Sequence, residues 1–190
     1  MMSKVHDGDA KRNIPWRLIG WAVPVLLLLL PLVTGAPWTL SDYVVMGALF
    51  GIAGLGIELA VRASGDIVYR AGAGVAVVTA FLLIWVNLAV GFLGDEGNPA
   101  NLMFFIMLGV ALVGAFLADF RAAGLARTMF ATAVCQVGVG AVGLAAGFAS
   151  PGNDGIYEVF MGTSLFAGLW LIAAWLFRKA ARREGNAAHA

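Results

Sequence analysis

The chain of 190 residues holds a single cysteine, Cys135, so neither an internal disulfide nor a cysteine-cluster metal site can form. Its two histidines, His6 and His189, both lie in terminal tails. With no histidine in an apolar segment, histidine-ligated haem and zinc-peptidase chemistry are disfavoured there. Lysine is also missing from the apolar segments, which disfavours a retinal Schiff base. No Ser–His or Cys–His arrangement is available to activate a nucleophile, and no P-loop or dinucleotide fingerprint occurs. No catalytic residue and no cofactor are evident. Charge is scarce as well: 12 % of residues are charged, against about 25 % in a soluble domain. A formal net charge of +1 leaves no cationic surplus for binding nucleic acid.

What is abundant is apolar surface. Hydrophobic residues make up 61 % of the chain and the mean hydropathy is +0.89, too apolar for a water-soluble globule. The reading is an integral membrane protein whose first partner is the lipid bilayer. A spanning helix needs about 20 apolar residues to cross roughly 30 Å of hydrocarbon. Six segments qualify: 17–34, 41–61, 70–93, 100–119, 126–147 and 156–177. The runs are continuous and lack the alternation of barrel strands, which predicts an all-α bundle of six transmembrane helices. A tail over 1–16 precedes the 17–177 membrane domain, and a basic tail over 178–190 follows it. Thr39 with Asp42 suggests a capping box for the second helix. Asn98-Pro99 reads as N-cap and first residue of the fourth. Asn153 or Asp154 is placed to cap the sixth.

The twelve Lys and Arg residues segregate. Lys4, Lys11, Arg12 and Arg17 lie at the N-terminus, Arg62 and Arg70 flank the second connection, and Arg121 and Arg127 the fourth. Arg178, Lys179, Arg182 and Arg183 follow the sixth segment. The first, third and fifth connections instead carry or adjoin Asp42, Asp95, Glu96, Asp154 and Glu158. The positive-inside rule then predicts cytoplasmic termini and acidic connections on the outer face. Trp16, Trp21 and Trp175 at one boundary and Trp38 at the other fit an interfacial aromatic belt. A cleaved signal peptide is the competing account of the first segment; its length and Pro37 after the small residues at 34–36 favour an uncleaved span. Arg62-Ala63-Ser64-Gly65 is similar to Arg121-Ala122-Ala123-Gly124. That is either a duplicated hairpin or the shared composition of two short turns.

Polar residues within a span are functional suspects because each is costly to insert. Glu58 lies four residues before Arg62, either as a partly solvated ion pair or as a proton or cation ligand. Asn87 is expected to hydrogen-bond to a neighbouring helix or to line a solute site. Thr79, Cys135 and Gln136 fall near mid-depth and suggest one buried polar layer between the third and fifth helices. Gly47, Gly51 and Gly54, with Gly138, Gly143 and Gly147, are candidates for close helix contact, within the bundle or in a dimer. The third connection offers Asp95, Glu96, Asn98 and Asn101 on the same face as Asp154 and Glu158. It is a turn and cap, a partner-docking face, or an oxygen-ligand site for Ca²⁺ or Mg²⁺.

The run Trp85-Val86-Asn87-Leu88-Ala89-Val90-Gly91, followed by Asp95-Glu96-Gly97-Asn98-Pro99-Ala100-Asn101-Leu102-Met103, resembles a group of small multi-spanning bacterial inner-membrane proteins without an assigned activity. The resemblance covers residues 39–177. It implies a bacterial cytoplasmic membrane and supplies no site residue. The function expected from the residues is a non-enzymatic accessory, assembly or self-associating subunit, with other membrane chains or copies of itself as partners. The alternative is a small transporter or channel for an ion or small solute. Single cysteines at positions 95 and 152, in a Cys135→Ala background, should react with an impermeant thiol reagent on intact cells. Cysteines at 64 and 123 should react only after permeabilisation; labelling of 64 on intact cells would refute the six-span topology.

Overall fold

The computed structural model describes residues 16–188. The predicted tail over 1–16, with His6, and the last residues with His189 fall outside the described residues, Trp16 excepted. Among the described residues there are six α-helices: α1 (Trp16–Thr34), α2 (Leu40–Ala63), α3 (Ile67–Ala89), α4 (Leu102–Leu117), α5 (Ala122–Ala145) and α6 (Asn153–Ala188). A 3₁₀ turn, Pro99–Asn101, leads into α4. Five helical stretches are long and apolar enough to cross a membrane: α2, α3, Pro99–Leu117, α5 and α6. The apolar part of α1 among the described residues, Trp21–Thr34, is shorter. The all-α architecture of a multi-pass membrane protein is therefore supported at five helices, with α1 as a sixth, shorter one.

Two compact units are distinguished, divided between Phe50 and Gly51. In the first, α1 carries Pro24 and Pro31 within the helix, and Leu26, Leu27, Leu29 and Leu30 are all exposed. Gly47 on α2 approaches only the tip of Leu28, and a Cβ there would sit 3.9 Å away. At the start of α2 the Asp42 carboxylate accepts from the Thr39 N–H at 2.7 Å and from its hydroxyl at 2.8 Å. The expected box is thus half made, because the threonine hydroxyl turns to the carboxylate instead of to the helix.

In the second unit α6 packs against α5 and α3, and α5 packs also against α4. In lipid, burying an apolar side chain gains little over leaving it among acyl chains, so these contacts rest on close fit. The α5 face that is buried reads Leu125, Met129, Thr132, Ala133, Gln136, Gly140 and Gly143, a spacing of three and four. Against it and α3 stand Ala173, Ala174, Trp170 and Phe177 of α6, all buried. A Cβ on Gly72 would stand 3.2 Å from the Leu176 Cβ, so α3 and α6 meet backbone to side chain there. A Cβ on Gly140 would overlap Thr163, and one on Gly143 would overlap Leu93.

Three helices end in the same way. After α1, α4 and α5 the residue past the cap takes positive φ: Gly35, Asp119 and Gly147. The following N–H then reaches back five residues, from Ala36 to Pro31, Phe120 to Ala115, and Phe148 to Gly143. This is the Schellman arrangement, which satisfies carbonyls the helix end leaves open. Gly147 is therefore a helix terminator and not the packing residue expected of it. Gly51 and Gly138 have no neighbour within 4 Å of a Cβ, so neither is a close-contact position within the chain itself. Phe120 also has positive φ, 54°, which a bulky residue adopts under strain. The Tyr69 hydroxyl donates to its carbonyl at 2.7 Å and holds the turn.

Three boundaries depart from the apolar pattern. α3 starts at Ile67 because Asp66 caps it, its Oδ1 accepting from the Val68 N–H at 2.9 Å. It stops at Ala89 although the sequence stays apolar to residue 93. α6 does not give way to a separate tail at 178; it continues to Ala188, in residues that, apart from Gly185 and Asn186, are strong helix formers. Its 36 residues measure about 54 Å at about 1.5 Å each, well beyond the hydrocarbon thickness. Ala180 stays buried in that extension and Arg183 reaches the Asp66 carboxylate at 3.3 Å. The similar words after α2 and α4 fall in different places: Arg62-Ala63 end α2, whereas Arg121 caps α5 and Ala122–Gly124 begin it. They do not mark equivalent positions of a duplicated hairpin.

A Cβ on Gly124 would lie 2.5 Å from the Cβ of Ala118 and 3.2 Å from its Cα, atoms that cannot rotate away. Gly124→Ala should destabilise the protein in detergent by about 1–3 kcal/mol through overpacking. Gly138→Ala should be neutral or gain up to about 1 kcal/mol of helix propensity. Thermal or denaturant unfolding of the two variants checks this, and the reverse order would contradict the α4–α5 packing.

Candidate functional site: a cleft at the acidic end

The end of α3, the start of α4, the end of α5 and the start of α6 gather Asp95, Glu96, Asp154 and Glu158, all exposed. No Lys or Arg lies in the segments 86–102 and 144–166 that build this end. The segment after α3 is folded by one side chain. Asn101 Oδ1 accepts from the N–H groups of Phe92 at 3.1 Å and Leu93 at 2.8 Å. Its Nδ2 donates to the Asp95 carbonyl at 2.8 Å. Asn101 is 5 % exposed, so it holds the loop together and is not part of a face offered to partners or cations. The helix ends because Gly91 turns to φ +74° and Asn101 takes the next two N–H groups. Phe92 and Leu93 stay apolar and buried without being helical, packing with Leu83, Phe104, Met107, Val159 and Phe166.

Asn98 is a cap, as the sequence implied, its Oδ1 accepting from the Ala100 N–H at 3.0 Å. Its Nδ2 also points to the Phe148 carbonyl at 3.4 Å, and the Ser150 hydroxyl donates to the Gly94 carbonyl at 3.2 Å. These two bonds tie the loop to the α5–α6 connection. Asp95 Oδ1 is engaged by the Gly97 N–H at 2.9 Å. Among the described residues no group of three or more His, Cys, Asp or Glu side chains is placed to hold a metal ion. The loop presents carboxylates without a coordination shell.

Between this loop, α3 and α6 lies an open cleft of about 460 Å³. Val86, Val90, Phe92, Val159 and Phe166 make its apolar walls, and Glu158 and Ser150 are its polar side chains. Gly91, Gly94, Gly155 and Gly162 complete the lining. A Cβ on Gly162 would stand 2.8 Å from the Phe92 ring, so this glycine lets the ring lie against α6. The Phe92 ring sits 5.8 Å from Phe166 and 4.5 Å from Phe104, centroid to centroid.

The interior polar residues behave differently from expectation. Asn87 is buried, but its amide donates to the Leu83 carbonyl of its own helix at 2.7 Å, and its Oδ1 has no partner. Thr79 is 1 % exposed and bonds back to Val75 at 2.7 Å. Thr132 bonds back to Thr128 in the same manner. Cys135 is exposed and leaves the expected layer altogether. Gln136 is fully buried, and neither of its amide atoms has a hydrogen-bond partner. On α6, Thr163 Oγ1 and Trp170 Nε1 are buried and unpartnered too. Thr79 and Gln136 therefore share an interior without forming the hydrogen-bonded layer between helices that their depth suggested. Glu58 makes the expected pair, with Arg62 Nε 3.0 Å from Glu58 Oε1; the arginine side chain is 70 % exposed. Gly54 is partly buried on α2.

Sequence reasoning missed the cleft. Phe92, Val159, Phe166, Gly155 and Gly162 were not singled out, and the signal available was Gly91-Phe92-Leu93-Gly94, two glycines interrupting an apolar run. Thr163 and Trp170 gave no signal of their own. The chain matches no protein-family model, no curated protein and no solved structure.

Asn101→Ala would leave the N–H groups of Phe92 and Leu93 without acceptors in a buried setting. The expected loss is about 2–3 kcal/mol, read as a lower unfolding temperature in detergent. Asp95→Asn with Glu96→Gln should leave that temperature unchanged. An unaltered temperature for Asn101→Ala would remove its role in folding the loop.

Proposed function

We propose that this chain is a six-span protein of the bacterial inner membrane, with cytoplasmic termini, which takes a small solute or ion from the acidic, outer side. This is the transporter reading, and one observation carries it. Gln136, fully buried on the α5 face against α6, has two hydrogen-bonding atoms and no partner for either. Leaving an amide unsatisfied in an apolar interior costs a few kcal/mol. A helix that needed only packing would be better served there by leucine or methionine. Thr163, Trp170 and Asn87 add unpartnered atoms on α6 and α3. A moving polar solute, or water that accompanies it, would supply these bonds in turn. The other half of the unit, from Gln136 toward the Arg-rich turns, is closed by Ala73, Ala133, Trp170, Ala173 and Phe177. An outward-open cleft over a closed inner half is the resting form this reading requires.

The reading as a self-associating or accessory subunit rests on a different face. Ala131, Cys135, Gly138, Val142 and Ala145 of α5 are exposed and mostly small, the pattern that lets two helices approach in lipid. The two readings separate at position 136. In a Cys135→Ala background, Gln136→Cys should be modified by a small hydrophilic methanethiosulfonate reagent added from the outer side of proteoliposomes. Val134→Cys, on the exposed face of the same helix, should stay unmodified. Modification of neither position would leave no wetted interior and would favour the subunit reading.

A further inference from the structure

We infer that the cleft at the acidic end is a binding site for a small organic cation with an apolar or aromatic body, for which Glu158 is the counter-ion. The inference rests on the solute-taking reading above and names the class of solute. The cleft volume of about 460 Å³ falls within the range of small-molecule sites, roughly 300–1,000 Å³. Its walls are apolar side chains and glycine backbone, so most of an occupant's surface must be apolar. One carboxylate, Glu158, is its only charged lining group.

The sign of the charge follows from what surrounds it. Asp154 stands one helical turn before Glu158, and Asp95 and Glu96 project from the loop that forms the facing wall. With no Lys or Arg in the segments that build this end, an anionic occupant would meet uncompensated repulsion. A cation would be concentrated by the field before it entered. A metal ion is a poor fit, because among the described residues no three acidic or other ligating side chains converge. An ammonium group suits the lining better. It can pair with the Glu158 carboxylate at the mouth while its body lies between Val90, Val159 and the Phe92 and Phe166 rings. Those rings suit an aromatic or aliphatic body, and the charge is left to Glu158.

The depth of the cleft also limits the class. Glu158 is exposed and lies one turn above Gly162, whereas Phe166, one turn below it, is buried. The charged part of the occupant therefore stays near water and the apolar part goes inward. Inorganic cations, sugars and organic anions all lack one of the two halves.

The test uses the full chain in phosphatidylcholine nanodiscs and radiolabelled benzyltrimethylammonium in equilibrium dialysis, with empty nanodiscs subtracting lipid partition. Saturable binding near one per chain is expected, displaced by unlabelled probe and not by benzenesulfonate. Glu158→Gln should weaken it about tenfold, and Val90→Trp, at an exposed lining position, should abolish it by filling the cleft. Glu184→Gln, an acid of the α6 extension remote from the cleft in sequence, should leave it unchanged. The inference is overturned by an absence of saturable binding, or by equal binding in the Glu158→Gln and Val90→Trp proteins. Loss in Val90→Trp with none in Glu158→Gln would overturn it too, by showing an apolar cleft without a counter-ion. The labelling of position 136 is independent of this probe. A wetted Gln136 with no benzyltrimethylammonium binding rejects the cation class alone, and a dry Gln136 rejects the transport reading itself.

Discussion

An amide N–H that leaves a helix within a membrane protein must find another acceptor, since lipid supplies none. At the end of α3 two successive N–H groups, those of Phe92 and Leu93, converge on the single oxygen of the Asn101 side chain. The same residue's amide nitrogen holds the Asp95 carbonyl. Through that one side chain the strand of sequence after Ala89 can leave the helix while still buried. Everything at the acidic end follows from it. Phe92 is turned across α6 onto Gly162, Gly94 is brought to Ser150, and the space between Val86, Val90 and Val159 is left as a cleft. Had α3 continued to residue 93, Phe92 and Leu93 would have pointed along the helix surface and no facing wall would exist.

The two ends of this unit solve the problem of close packing differently. Toward the Arg-rich turns the interface of α6 with α3 and α5 is made of alanines around Trp170, Tyr69 and Phe177, with rings of Tyr69 and Phe177 edge to face at 5.3 Å. Small side chains on both sides let backbones approach, and among the described residues Trp170 Nε1 and Asp66 Oδ2 are the buried side-chain atoms left without a partner there. Toward the acidic end, Gly162 lies against the Phe92 ring, Gly143 against the Leu93 side chain and Gly155 against the Ser150 backbone. The cleft lies beside these close approaches, with Gly155 and Gly162 in its lining. Polar contacts reinforce the division: Tyr69 to Phe120, Arg70 to the carbonyls of Val61 and Ser64, and Arg183 to Asp66 tie the turns at the basic end.

Much of the fold was legible because lipid imposes simple requirements. Continuous apolar runs located the helices to within a few residues, except at the end of α6, which runs eleven residues past the apolar segment ending at 177, to Ala188. Asn98-Pro99 marked the start of the turn into α4 for a reason that holds in any solvent. What was not legible depended on a partner distant in sequence. The end of α3 is set by Asn101, eight and nine residues further on, and apolar content could not reveal it because Phe92 and Leu93 remain buried. Which glycines pack was equally hidden: Gly138 and Gly140 differ by two residues on one helix, yet one faces open space and the other Thr163. Periodicity identifies a face only when the position of a second helix is known. Gln136 was visible as a suspect by its depth, whereas its lack of partners required coordinates. Asn101 was grouped with the loop's carboxylates under three alternatives, because amides in such a loop look alike until their donors and acceptors are traced.

The polar interior and the cleft lie on the same helices, and this bears on how a solute would pass. Val86 and Val90 line the cleft while Asn87, between them in sequence, is buried; Thr79 lies two turns deeper on α3. On α6, Val159, Gly162 and Phe166 line it, and Thr163 and Trp170 follow. In the proposed transport reading, a solute leaving the cleft inward would have to displace Phe166, which is buried in one cluster with Leu83 and Phe104. Beyond it the next polar groups, Gln136 and Trp170 Nε1, stand among alanines at 133, 167, 173 and 174. α6 carries Phe166, Trp170 and Phe177, all buried, and its packing against α5 and α3 is the most extensive between any helices of this unit. Opening the floor of the cleft therefore asks for a turn of the Phe166 side chain and not for a displacement of the whole of α6, which would drag the deeper rings with it.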